Sequence, residues 1–353
     1  MILDRYIGKS VLVTSLLALF ALVAVFSFFS LVDQLDDTGR GNYGVVQAIQ
    51  YVLLTIPRLS YELFPIETVI GSMTALGMLA NTSELAVIRT SGISQKRLAY
   101  SLMKTGLIFI VVSILIGEGI APISEQFAQQ KRSVELTKQI SLKTKHGFWS
   151  RDGDNYINIR KILPGDRVEE IYIYEFDRNH RLRSSIHAKH AEYDQDRWVL
   201  HDILITEISE EQIISNRYET AEWEALLNPE VINMVTIKPR YLSVYGLISY
   251  IEYLKANNQN SKQYVQAFWS KLINPFAIIA MLLLAICVVR CEAHSIGLGQ
   301  RVFIGALLGI IFHLVNQVTG HLGIVYGIPA FISVCLPTIL VLTYVYYRLN
   351  KTH

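Results

Sequence analysis

The sequence predicts an α-helical polytopic membrane protein with six transmembrane helices and one inserted β domain. Three observations carry this: the composition, the placement of the charges, and a change of hydrophobic period in mid-chain. Of 353 residues, 51% are hydrophobic and 18% charged, with a mean hydropathy of +0.32. An ordinary soluble domain carries roughly a quarter charged residues. Residues 122–268 hold 40 of the 62 charges, leaving 22 for the other 206 residues, so two apolar portions flank one soluble portion. The expected division is 1–121 for three helices, 122–268 for the soluble domain and 269–353 for three more helices. A net charge of +2 makes no case for nucleic acid as a partner. Cys287, Cys291 and Cys335 all fall outside the soluble portion; that portion has no disulfide framework and must fold on its own core.

The first helix is the clearest. Val11–Val32 carries no formal charge over 22 residues, about 33 Å at ~1.5 Å per residue, which matches a hydrocarbon core of ~30 Å. Phe28-Phe29-Ser30-Leu31-Val32-Asp33 stands where a cleaved signal would place small residues, so the helix is expected to be retained. The other expected spans are Ser60–Ala80, Leu98–Ala121, Trp269–Val289, Val302–Val325 and Ala330–Tyr347. The second is the least regular, because Arg58, Glu62 and Glu67 lie near its start. Basic residues set the direction. Arg5, Lys9, Arg89, Lys96, Arg97, Arg290, Arg301, Arg348 and Lys351 fall on one side, against Arg40 alone in the opposite short loops. Both termini are therefore expected in the cytoplasm and the soluble domain on the outer face. Glu62, Glu67, Glu118, His313, Asn316, Gln317 and His321 lie inside spans and need partners. Helix-to-helix hydrogen bonding or a water-exposed end accounts for them without a proton path.

Between Gly147 and Ile237 the period changes to two. Tyr156–Ile162, Ile171–Phe176 and Trp198–Ile208 read as strands, separated by turn signals at 152–155, 164–166, 177–179 and 194–196. Short strands at this spacing suggest a sandwich, a jellyroll or an open trough. Leu242–Asn257 returns to helical spacing with Leu247, Ile251 and Leu254 on one face, as in a short amphipathic helix at the outer interface.

Catalytic and metal motifs fail on context. Gly8-Lys9-Ser10 lacks the glycine five residues earlier that a phosphate-binding loop needs; Leu3 stands there. Asp152-Gly153-Asp154 reads as a hairpin turn. Cys287, Cys291 and His294 lack a fourth zinc ligand. His187 and His190, three apart in a strand, point to opposite faces. No nucleophile and base can be paired, so no enzyme activity is expected of the chain.

The informative loop is Ser83–Ser94, between the second and third spans. Ser83 suits an N-cap, Glu84 the positive helix start and Gly92 a left-handed stop. The result is a coupling helix at about 83–92. Leu85, Val87 and Ile88 make it more apolar than a cytosolic loop requires, so it is expected to dock in a groove on a soluble partner, with Glu84 and Arg89 among the coupling residues.

Several short motifs, in order along the whole chain, resemble the lipopolysaccharide export permeases of the LptF/LptG family. They are Asp4-Arg5-Tyr6-Ile7, Val32-Asp33-Gln34-Leu35, Ser83-Glu84-Leu85 with Gly92, Gly117-Glu118, Ala121-Pro122, Trp269-Ser270-Lys271 and Val325-Tyr326-Gly327-Ile328-Pro329. The resemblance implies a Gram-negative inner-membrane ABC permease half with a periplasmic β-jellyroll. It would pair with the paralogous permease LptF, two copies of the ATPase LptB, and LptC, and lipopolysaccharide would pass toward the bridge protein LptA. ATP and magnesium would then belong to the ATPase, with no cofactor or metal in this chain. Against this stand an ABC permease of the lipoprotein-release or mechanotransmission type and a membrane scaffold with a ligand-binding outer domain.

The resemblance also directs attention to lipid contacts. Phe26 and Phe29 in the first helix and Phe64 at the start of the second are candidates for lining an acyl-chain cavity. Relatives often carry lysines at the end of the first helix, facing lipid phosphates, but Asp36 and Asp37 stand here. The remaining basic candidates are Arg40, Lys131 and Arg132.

Overall fold

A computed structural model of the chain describes residues 2–93, 95–137, 147–152, 155–163, 167–177, 181–194, 197–209, 212–223, 238–257, 259–291 and 297–351. Six helices among these are long and apolar enough to cross a membrane. The chain divides into two compact units. One comprises Met1–Gln34, Val52–Glu125 and Lys262–His353; the other comprises Leu35–Tyr51 and Gln126–Ser261.

The helical unit is built around α2 (Val45–Asn81). Of its apolar stretch 83% is buried, against 17% for α1 (Ile2–Leu35). α2 starts well before the predicted Ser60, because its charges do not face lipid. Arg58 pairs with Glu62 and Glu125 inside the unit. α1 touches α2 through small residues: Thr14 Oγ1 donates to the Gly71 carbonyl at 2.8 Å, and a Cβ on Gly71 would collide with the Ser15 backbone. After α3 (Glu84–Thr90) come α4 (Gln95–Ile114), a π-helical turn (Leu115–Ile120) and α5 (Ala121–Thr137). Together they make one helical run past the predicted stop at Ala121. Pro122 explains the wide turn. In an α-helix its ring would strike the Glu118 carbonyl four residues back, and five residues back, where a π turn places the acceptor, it has no N–H for the Gly117 carbonyl. Lys271 Nζ donates to that carbonyl instead, at 3.1 Å. The Gly117 Cα lies against the Tyr61 ring, where a Cβ would not fit. The unit closes with the three remaining spans. These are α7 (Lys262–Cys291), α8 (Leu298–Tyr326) and α9 (Ala330–Asn350), with Gly327 at φ 69° ending α8.

In the second unit, six strands form one antiparallel sheet in the order β1 to β6. They are Phe148–Asp152, Asn155–Leu163, Arg167–Phe176, Leu182–Asp194, Arg197–Ile208 and Ile213–Trp223. The three predicted strands are β2, β3 and β5. Residues 153–154, 164–166, 178–179 and 195–196 of the predicted turns lie outside the described residues. One sheet face is buried: Ile157, Ile159, Val168, Ile171, Ile173, Ala188, Ala191, Leu200 and Ile203. The inward positions step by three between Val168 and Ile171, Ala188 and Ala191, and Leu200 and Ile203. Glu170 and Asp202, both at φ 55°, absorb the extra outward residue on their strands. Consequently His187 and His190 both lie on the outward side, His187 stacked on Tyr172 and His190 on His201 at 4.6 Å. The expectation of opposite faces fails because the kink resets the alternation. α6 (Val244–Ala256) is capped by the Ser243 hydroxyl, which accepts from the Gly246 N–H at 3.1 Å. Its predicted apolar face, with Leu247, Ile251 and Leu254, is covered by protein rather than left for a lipid surface.

Candidate functional site

The α2–α3 junction is a tight hydrogen-bonded turn. Thr82 N–H donates to Met78 O at 3.1 Å, Ser83 N–H to Ala80 O at 3.2 Å, and Ala86 and Val87 N–H to Ser83 O at 3.0 and 3.1 Å. Ser83 takes φ 61° and Gly92 φ 80°. The left-handed stop at Gly92 is as expected. Ser83 joins through its backbone carbonyl, and the side-chain bond at this helix start comes from Thr82, whose hydroxyl donates to Glu84 Oε1 at 2.9 Å. The other Glu84 oxygen accepts from the Tyr6 hydroxyl at 2.8 Å, which ties α3 to the start of α1. Asp4, two residues before Tyr6, holds Lys104 at 2.8 Å and Arg97 at 3.2 Å.

The expected docking face of α3 needs correction. Leu85 is only 4% exposed and belongs to the core that contains Leu76 and Leu79 of α2. Ile88 packs partly against the same core. Burying these two pins α3 to its own chain, so neither fills a partner's groove in this structure. The outward residue is Val87, 62% exposed, flanked by exposed Ala86 and Thr90. The Arg89 side chain lies outside the described residues.

The candidate lipid contacts separate in the same way. Phe26 and Phe29 are exposed on α1, with Phe28 edge-on to Phe29. Phe64 is buried in the helix-packing core and lines no open surface, which corrects that assignment. Arg40, Arg132 and Asp37 come together in the second unit: Asp37 pairs with Arg40 and Arg132, each at 2.6 Å. Lys131 Nζ donates to Gln50 Oε1 at 2.6 Å, and the Arg132 guanidinium lies over Tyr51. Gly41, at φ 60°, lets this loop reach the Glu135 and Leu136 carbonyls. Beside it burial pushes the Tyr43 phenol up. Asp37 is therefore occupied by two arginines. The set of Arg40, Lys131, Arg132 and Asp37 carries two net positive charges, while Asp36 stays exposed. Such a cluster attracts an anion of the phosphate type.

Of the polar groups expected inside the spans, Glu62 and Glu118 are ion-paired. Arg58 meets Glu125 at 3.0 Å and Glu62 at 3.2 Å; Lys271 meets Glu118 at 2.6 Å. Glu67 is 1% exposed and accepts from the Thr68 hydroxyl at 3.2 Å. His321 and Gln317 face outward on α8. No group of three His, Cys, Asp or Glu able to hold a metal occurs among the described residues. Of the loose cysteine-histidine set, His294 lies outside the described residues.

Residues 5–351 match the family described as lipopolysaccharide export system permease LptF/LptG. The chain belongs to this family. Among relatives, the lipopolysaccharide export system permease protein LptG of Haemophilus influenzae is 33% identical over 351 residues, covering 99% of this chain and 98% of the relative. The protein of the same name from Escherichia coli K12 is 34% identical over 340 residues, covering 96% and 94%. The LptF/LptG resemblance on short motifs thus extends over the whole chain.

Two residues of this LptF/LptG member escaped sequence reading as anything beyond positive flanks or helix openers. Lys271 is 7% exposed in its side chain, and Arg301 is 1% exposed. The available signal was local for each: Ala121-Pro122 announces a broken ladder that needs a donor, and Gly305 and Gly309, four and eight residues after Arg301, announce a close helix contact.

Proposed function

We propose that this chain is the LptG-type permease subunit of an ABC transporter that moves lipopolysaccharide out of the inner membrane toward the outer membrane. The observation that carries this is the near full-length likeness to permeases named for lipopolysaccharide export, on a chain with six apolar helices and an inserted antiparallel sheet. The reading places both termini in the cytoplasm and the β domain in the periplasm, following the basic flanks. α3 then faces the cytoplasm and offers Val87 and its neighbours to the ATPase LptB, two copies of which supply ATP and magnesium chemistry to the complex. The exposed apolar sides of α1 and α8 face lipid, the paralogous permease LptF and LptC. The Arg40, Lys131 and Arg132 cluster, on the periplasmic side of this topology, meets the phosphates of the lipid. Phe26 and Phe29 are the aromatic candidates for its acyl chains, and the β domain forms a jellyroll segment of the route to LptA.

The test is reconstitution. The chain co-expressed with LptF, LptB and LptC, placed in liposomes loaded with lipopolysaccharide, is expected to release the lipid to added LptA only with ATP. Retention of the lipid with ATP and LptA present rules the reading out.

A further inference from the structure

We propose that Arg301 is a positioning residue that ties α3 to α8, so that movement of α3 under the ATPase is carried into that span. The inference rests on the permease reading above and adds to it a residue to which that reading gives no role.

α8 is loosely held. Only 17% of its apolar stretch is buried, and its buried residues begin with Arg301, Gly305, Gly309 and Phe312, a single stripe repeating every three or four residues. Gly305 lies on Ile70 and Met73, Gly309 on Ile66, so the stripe runs along α2. At its end the Arg301 Nη1 donates to the Gly77 carbonyl. Gly77 is the one residue type that fits: a Cβ there would stand 2.6 Å from the Arg301 Cδ and 2.7 Å from Nη1. The guanidinium meets a carbonyl close to the C-terminal end of α2, the negative end of the helix dipole.

From Gly77 onward the chain runs through the bonded turn at Thr82 and Ser83 into α3, with Leu79 and Leu85 anchored in one core. A push on the exposed side of α3 therefore reaches the Gly77 carbonyl through a stiff path, and Arg301 is the polar bond that hands it to α8. Stability alone does not call for an arginine here. Its Nε and Nη2 are buried without a hydrogen-bond partner among the described residues, and a buried charge with incomplete partners is less favourable than an apolar side chain of similar length. A methionine would fill the space and leave α2 and α8 packed but untied.

The experiment uses the whole reconstituted complex and reads three quantities: the thermal midpoint, the ATPase recovered with the chain, and lipopolysaccharide released per ATP hydrolysed. Arg301→Met is expected to keep or raise the midpoint, recover the ATPase in full, and lower release per ATP at least tenfold. Arg301→Lys, whose ammonium can still reach the carbonyl, is expected to restore at least half of the ratio. Gly77→Ala, which drives the guanidinium off the carbonyl, is expected to lower it as Arg301→Met does. An unchanged ratio in Arg301→Met overturns the proposal while leaving the permease reading intact. So does a lowered midpoint or failed insertion of that variant, which would make Arg301 a structural brace. A wild-type complex that releases no lipid on ATP addition overturns the permease reading and this proposal with it.

Discussion

The two units treat charge in opposite ways. Between the packed helices of the helical unit the ion pairs are few and sheltered: Glu125 is 1% exposed against Arg58, and Lys271 is 7% exposed against Glu118. On the sheet the charges are many and wet, as in Arg197–Glu222, where the side chains are 53% and 66% exposed. The same pair of residue types thus has two different meanings. Out of water each partner is required by the other, because an uncompensated charge in low dielectric is costly. In water the pair is nearly dispensable, because solvent replaces either partner.

The sharpest way to break this comparison is on α3, which offers a buried and an exposed apolar residue two positions apart. Leu85→Asp places a carboxylate in the helix-packing core and is expected to cost several kcal/mol, seen as loss of folded protein after detergent extraction. Val87→Asp is expected to leave the thermal midpoint almost unchanged and to reduce recovery of the ATPase. Equal effects from the two would mean that α3 is not docked as described. Next in size is Glu125→Ala, which leaves Arg58 without its most buried partner and is expected to cost about 3 kcal/mol. The Arg58→Met, Glu125→Leu double variant should recover most of that loss in the same unfolding measurement.

Lys271→Met removes the donor to Gly117 and the partner of Glu118, with an expected cost of about 1–2 kcal/mol. Hydrogen exchange at residues 115–125 should rise while the strand amides stay unchanged. A smaller effect is expected on the sheet at low pH. Burial, and then the neighbouring His201, hold the His190 imidazole below its usual range. The folded state then binds that proton less readily than the unfolded state, and the stability contributed above about pH 6.5 is lost as the pH falls. Exchange in the β4 and β5 peptides should rise between pH 7.5 and 5.5, and His190→Gln should flatten the change. Last, Arg197→Ala is expected to move stability by less than about 0.5 kcal/mol; a loss matching that of Glu125→Ala would erase the distinction between the units.

How far the sequence could be read follows from the same distinction. The spans were legible because lipid-facing helices must be apolar, and α1 and α8 obey that rule. α2 was blurred because it faces protein, where Arg58 and Glu125 satisfy each other across 67 residues of chain. β2, β3 and β5 were legible by their apolar runs. β6 escaped because almost all its residues are exposed, and β4 because Ala188, Lys189, His190 and Ala191 break the alternation at the kink. In the candidate site, helical spacing marked Leu85 and Phe64 as apolar, but spacing cannot tell which surface an apolar side chain meets. Both turned toward their own chain. The basic cluster was legible residue by residue, whereas its neutralisation by Asp37 depends on a return of the chain after about 95 positions.

The π turn before α5 sets the phase of the helical run through it. Phe109, Ser113, Gly117, Ala121 and Glu125 are all buried, a strict repeat of four. An unbroken α-helix advances about 100° per residue, so four such steps would carry Glu125 about 160° away from the side on which Phe109 began. One wide turn takes out about 100° of that drift by holding an extra residue without extra rotation. The slack introduced to accommodate Pro122 is therefore also what aims Glu125 at Arg58. Were Leu115–Ile120 wound as regular α-helix with all its residues kept, that carboxylate would swing about 100° away from Arg58, although every residue in the ion pair remained in the sequence.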